Sequence, residues 1–309
     1  MLSAGRITVS RHSTLVVATL LGVTLVAWTV TVERMRGMDA GPGTDLGGLG
    51  WFLGIWVTMM AAMMLPSVAP MVLLFTRVSR EQARRGRATF VPTWLFVAGY
   101  LAVWAAVGLA AYGIYRAVVS AGTGWLAWDG AGPYVAGAAL LAAGLYQMTP
   151  LKNVCLRHCR SPLHFLLHDW RPGRAGAVRM GMEHGAYCLG CCWGLMLALF
   201  ALGVMSLFWM AVVGAVILLE KLAPRGQQLS RLVAASLVAL GVWVTAAPAS
   251  VPGLVQPNSP GAELARMKMM GDEPQAPGMN MEPEPAKPMQ PKQVQPMQMA
   301  PPPAMPMQK

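Results

Sequence analysis

Charge is scarce in this chain. Acidic residues number 13 in 309, the four charged types together make up 12%, and 55% of the sequence is hydrophobic. A soluble globular domain carries roughly one quarter charged residues. With apolar runs long enough to cross a bilayer recurring along the chain, the composition reads as a polytopic membrane protein. Missing too are a phosphate-binding glycine loop, a Ser-His-Asp set, an HExxH motif and a Rossmann fingerprint, so no familiar enzyme signature is present. Cysteines are few, five in all with two adjacent, which does not suggest a secreted disulfide scaffold. The net charge of +11 excludes less than it seems to offer. The basic residues sit in short loops beside apolar segments, where orientation signals belong, so the expected partner is the lipid bilayer and not nucleic acid.

What the chain does have is concentrated. All five cysteines lie within one short window: Cys155 and Cys159, then Cys188, Cys191 and Cys192 in HGAYCLGCCW, residues 184–193. On a helix, His184, Cys188, Cys191 and Cys192 share a face, because spacings of three and four bring side chains together. Thiolates and imidazole suit Cu(I) first and zinc second. One helix cannot complete the site, since His184 and Cys191 lie about 10 Å apart along the axis. The Cys155/Cys159 pair is the expected second donor. Two other readings compete: small apolar packing residues, and a redox pair at Cys188-x-x-Cys191. A helix start would lower the thiol pKa of such a pair, although a cytoplasmic site would keep it reduced.

Taken in order, the apolar segments predict spans over 14–32, 51–76, 91–115, 133–148, 185–202, 205–222 and 229–247, with a break near Gly203. The second contains Met59, Met60, Met63, Met64 and Met71 with Pro66 and Pro70, which are expected to kink or break it. Met60, Met64 and Met71 share a face. Thioether sulfur is a weak soft ligand, suited to relaying Cu(I), although it also fills gaps in cores. Thr149-Pro150 is a helix start, with a capping threonine and proline at the first position. His164 and His168 are spaced as a pair but fit an interfacial helix better. Glu220, near the inner end of a span, is a candidate proton carrier or acceptor, with Lys221 as its expected local partner. The basic loops at 77–87, 152–179 and 220–225 all fall on one side, which puts the amino end inside and the carboxyl end outside.

Beyond Ala249 the chain becomes dense in proline and methionine and is expected to be disordered. Met279 and Met281, Met297 and Met299, and Met305 and Met307 form M-x-M pairs. Such a segment is similar to the extracytoplasmic copper-gathering segments of copper transport and resistance proteins. A low-complexity linker, or an arm for binding a partner, is the other reading.

Six motifs in order carry a resemblance: AMMLPS at 62–67, TPLK at 149–152, CLRHCRSP at 155–162, WRPG at 170–173, HGAYCLGCCW at 184–193 and LLEKLAP at 218–224. Over about 50–225 the chain resembles a bacterial family of metal-binding integral membrane proteins, the domain of unknown function DUF2182. The resemblance implies a metal site at Cys155, Cys159, His184, Cys188, Cys191 and Cys192, with the Met63/Met64 region beside it. It adds nothing to His164 or His168.

The expectation is an all-α bacterial inner-membrane protein of about seven transmembrane helices. Residues 1–48 form an anchor helix and loop, 49–248 a helix bundle with the Cys/His site, and 249–309 a disordered periplasmic tail. The expected role is Cu(I) trafficking through Cys, His and Met60/Met63/Met64 ligands, with a copper chaperone or a cuproenzyme as partner. A membrane thiol oxidoreductase and a non-catalytic assembly factor are the alternatives.

Overall fold

A computed structural model describes residues 11–39, 45–86, 90–122, 128, 130–161, 163, 166, 170–224, 226–257 and 259–271. Among these the chain is all-helical, with nine α-helices, a 3-10 turn and no strand. Five helices contain segments long and apolar enough to cross a membrane, consistent with a multi-pass membrane protein: α1 (Arg11–Met35), α2 (Leu49–Arg84), α3 (Thr93–Ser120), α6 (Gly173–Leu202) and α8 (Gly226–Ala246). Two more of the seven expected spans, α4 (Gly132–Gln147) and α7 (Leu207–Leu222), are helices of 16 residues each. At 1.5 Å per residue that is about 24 Å, short of a hydrocarbon core of about 30 Å. The short helix α5 (Pro150–Arg160) begins where Thr149 caps it, accepting a hydrogen bond from the Lys152 backbone amide at 3.3 Å.

Three boundaries differ from expectation. Helix α2 runs unbroken through Pro66 and Pro70 and on to Arg84. Helix α6 starts at Gly173 instead of 185. Its first turns are amphipathic: Ala177, Met180 and Gly181 are buried, while Arg179 pairs with Glu183 at 3.0 Å on the outer face. Hydropathy alone misses a helix of that kind. Gly203, at φ 110°, ends α6 at the expected break, in a conformation that a side chain would strain. The third difference lies at the start of the expected disordered tail. Residues 248–250 form the 3-10 turn and α9 spans Pro260–Gly271. Val251, Leu254, Ala262 and Ala265 are buried there, and the indoles of Trp128, Trp209 and Trp243 donate to Gln256, the Gly253 carbonyl and Ser250. A few apolar anchors among the prolines suffice to dock this stretch. Residues 272–309, with their M-x-M pairs, lie outside the described residues.

Helix α6 lies at the centre, against α3, α4, α5 and α7, while α2 packs on α1, α3 and α7. Outward-facing Leu25, Ile114 and Leu232 are about two-thirds exposed, as lipid-facing side chains would be. Helices α3 and α6 cross at glycines. A Cβ added to Gly99 would stand 2.2 Å from the Val178 carbonyl oxygen, and one on Gly181 would stand 2.1 Å from that of Phe96. Small residues let membrane helices approach this closely. Gly181→Ala should therefore cost about 1–3 kcal/mol, since backbone must move to admit the methyl. Thermal unfolding in detergent checks this, with Gly22→Ala as control because, among the described residues, its added Cβ would meet nothing within 4 Å beyond its own stretch of helix.

Candidate metal centre

The close α3–α6 crossing sets the depth of His184, Cys188, Cys191 and Cys192, all buried along α6. The sulfurs of Cys188, Cys191 and Cys192 lie within 4.8 Å of one another. Cys191 and Cys192 both donate to the Cys188 carbonyl oxygen, at 3.1 and 2.9 Å, which turns their thiols toward a common point. Cys188 stands about four turns from the start of α6. The helix-start argument for a redox-activated Cys188-x-x-Cys191 pair therefore does not hold, because the dipole effect is confined to the first turn.

Helix α5 brings the second donor. Cys159 Sγ lies 3.8 Å from Cys191 Sγ. Cys155 Sγ rests over Gly190, 2.6 Å from where a Cβ would stand, so α5 can lie this close only because that residue is glycine. Hydrogen bonding to Cys188 and Cys191, with burial, holds the Cys159 thiol well above its ordinary pKa, and burial raises that of Cys155. Three further contacts dock α5. His158 stacks on Tyr187 at 4.2 Å, Arg160 donates to the Ala223 carbonyl, and Lys152 pairs with Glu220 at 2.7 Å.

That ion pair corrects the expected Glu220–Lys221 pairing. Glu220 is bound by Lys152, which also donates to Gln147. Lys221 turns the other way, donating to Cys188 Sγ at 3.0 Å and Ser67 Oγ at 3.1 Å. Adjacent residues on a helix diverge by about 100°, so the two side chains face different neighbours. Tyr100 shares a 3.0 Å hydrogen bond with Cys188 and carried no signal in the sequence, because nothing local links residues 100 and 188.

His184 sits one turn before Cys188, its ring 6.1 Å from that of Phe96 and 6.2 Å from that of Tyr100. Met60, Met63 and Met64 are all buried on α2. Met63 lies against Gly214 of α7, and the Met64 carbonyl accepts from Ser67 at 2.9 Å. His164 and His168 lie outside the described residues.

Clustered thiols are soft donors, and soft donors select Cu(I) among the common biological ions, with zinc next. The comparison with known families turns on the same stretch. The family model PpoB2, described as a copper chaperone, matches residues 53–244, more than half of the chain. The chain belongs to this copper-chaperone family. The match runs from α2 into α8 and takes in all five cysteines, leaving α1 and everything beyond α8 outside it. No curated protein and no solved structure matches the chain. Within the copper-chaperone family, the thiol cluster of Cys188, Cys191 and Cys192 is compatible with copper binding.

Proposed function

We propose that this protein is a bacterial inner-membrane carrier of Cu(I), holding the ion among the sulfurs of Cys159, Cys188, Cys191 and Cys192 and passing it to a cuproenzyme or another acceptor. One observation carries the reading. In a member of a copper-chaperone family, sulfurs from two separate helices meet, with Cys159 Sγ 3.8 Å from Cys191 Sγ and the other two within 4.8 Å of Cys191. Cys155 and His184 border this set. Met60, Met63 and Met64 offer weaker thioether sites from which copper reaches or leaves the thiolates by ligand exchange. The paired methionines between 279 and 307 collect the ion at the periplasmic face.

In this reading α4 and α7 also cross the bilayer, which gives seven passages. Their shortness is met by local thinning and by flanking residues that reach the interface. The basic stretches 77–87, 152–179 and 220–225 then lie on the cytoplasmic side.

Metal analysis of protein purified under reducing, oxygen-free conditions tests the reading. Wild type should carry about one Cu(I) per chain at saturation, and reduced protein that takes up none would end the proposal. Deleting 272–309 should leave the affinity of purified protein within about twofold, because weak thioethers contribute little beside thiolates. The deletion should slow copper loading in cells grown at limiting copper. Equal loading with and without the segment would remove the collecting role.

A further inference from the structure

Among the described residues, Lys221 is a buried cation with no carboxylate paired to it. It is 7% exposed, and among the described residues it forms no ion pair with Asp or Glu, since Glu220 is taken by Lys152. Its ammonium rests between Cys188 Sγ at 3.0 Å and Ser67 Oγ at 3.1 Å. A buried ammonium needs an anion, and the group in contact able to supply one is the Cys188 sulfur.

We propose that Lys221 is the specificity-determining residue of the thiol site, its fixed positive charge tipping the site toward a univalent ion over a divalent one. The inference rests on the copper reading and adds the choice of metal. Two thiolates holding Cu(I) carry a net charge of −1, and the same two holding a divalent ion carry 0. With three thiolates the charges are −2 and −1, and with four −3 and −2. At any given number of thiolates the univalent complex carries one more negative charge than the divalent one, and charge left unbalanced in a buried site is costly. An ammonium at this range therefore stabilises the univalent complex by one extra unit-charge interaction. At an effective dielectric of about 20 that amounts to at least roughly tenfold in relative affinity. Ser67, anchored on the Met64 carbonyl, gives the ammonium a resting acceptor when the Cys188 lone pairs turn to the metal.

The test compares Cu(I) with Cd(II), a divalent ion that shares its preference for sulfur, on purified full-length protein in detergent. Both are titrated against competing chelators under reducing conditions. In Lys221→Met and Lys221→Gln the ratio of Cu(I) to Cd(II) association constants should fall at least about tenfold. In Lys221→Arg it should stay within about threefold of wild type. A ratio unchanged in either neutral variant overturns the proposal, including the case in which both metals weaken by the same factor as local damage would make them do. Either neutral variant decides if the other does not fold. A wild type that binds no Cu(I) is a different failure, that of the copper reading itself.

Discussion

Replacing Cys188, Cys191 and Cys192 together by serine should abolish Cu(I) binding. Serine suits this test because the thiols of Cys191 and Cys192 already donate to the Cys188 carbonyl, and a hydroxyl on a helix makes the same back-bond. What the substitution removes is soft, ionisable sulfur, which a hard neutral hydroxyl does not replace. The effect should be graded. Cys188→Ser with Cys192→Ser leaves Cys159 and Cys191, 3.8 Å apart, as a residual pair. That variant should keep a site weakened at least about a hundredfold, or roughly 2.7 kcal/mol. Cys155→Ser should cost far less, because that sulfur is turned toward Gly190. Competition with a coloured Cu(I) chelator reads all three. A triple variant that binds as wild type does would place the copper elsewhere.

Lys152→Met should be the single substitution most damaging to stability, at about 3–5 kcal/mol. Lys152 and Glu220 are both almost fully buried and 2.7 Å apart, so removing one leaves an uncompensated buried charge. Gln147 is a poor replacement, since its amide reaches Glu220 only at 3.4 Å. Adding Glu220→Leu should recover most of the loss, because two apolar side chains replace a buried pair at little net cost. The same pair docks α5 and hence Cys159. The single variant should therefore expose Cys159 to a thiol-labelling reagent at temperatures where wild type protects it. Thermal unfolding and labelling mass spectrometry measure the two effects. A single variant as stable as wild type would show that α5 is held by its other contacts, such as the His158–Tyr187 stack.

The parts of this protein legible in one dimension were those written in local pattern. Apolar run length marked the long helices, Thr149-Pro150 marked the start of α5, and Gly203 marked the end of α6. The spacing of three and four put Cys188, Cys191 and Cys192 on one face. Patterns that compete with a local rule were read less well. Pro66 and Pro70 suggested a broken helix, yet α2 is continuous. The polar turns from Arg174 to Glu183 read as a loop, yet their inner face of Ala177, Met180 and Gly181 is buried and α6 begins at Gly173. The prolines after Ala249 suggested disorder, yet three tryptophans hydrogen-bond this segment, Val251 and Leu254 are buried in the core, and α9 follows.

By itself, then, the sequence determined the class of protein and the chemistry of its donors: a chain with too little charge for water, and sulfur gathered at two short stretches. Only the tertiary structure decided which charges face which sulfurs. Glu220 and Lys221 are adjacent in the chain but point about 100° apart, so each finds its partner on another helix, Lys152 for one and Cys188 with Ser67 for the other. Tyr100 reaches Cys188 because glycines let α3 and α6 nearly touch. Contacts of that kind depend on the distance and rotation between helices, which no spacing within a single helix encodes.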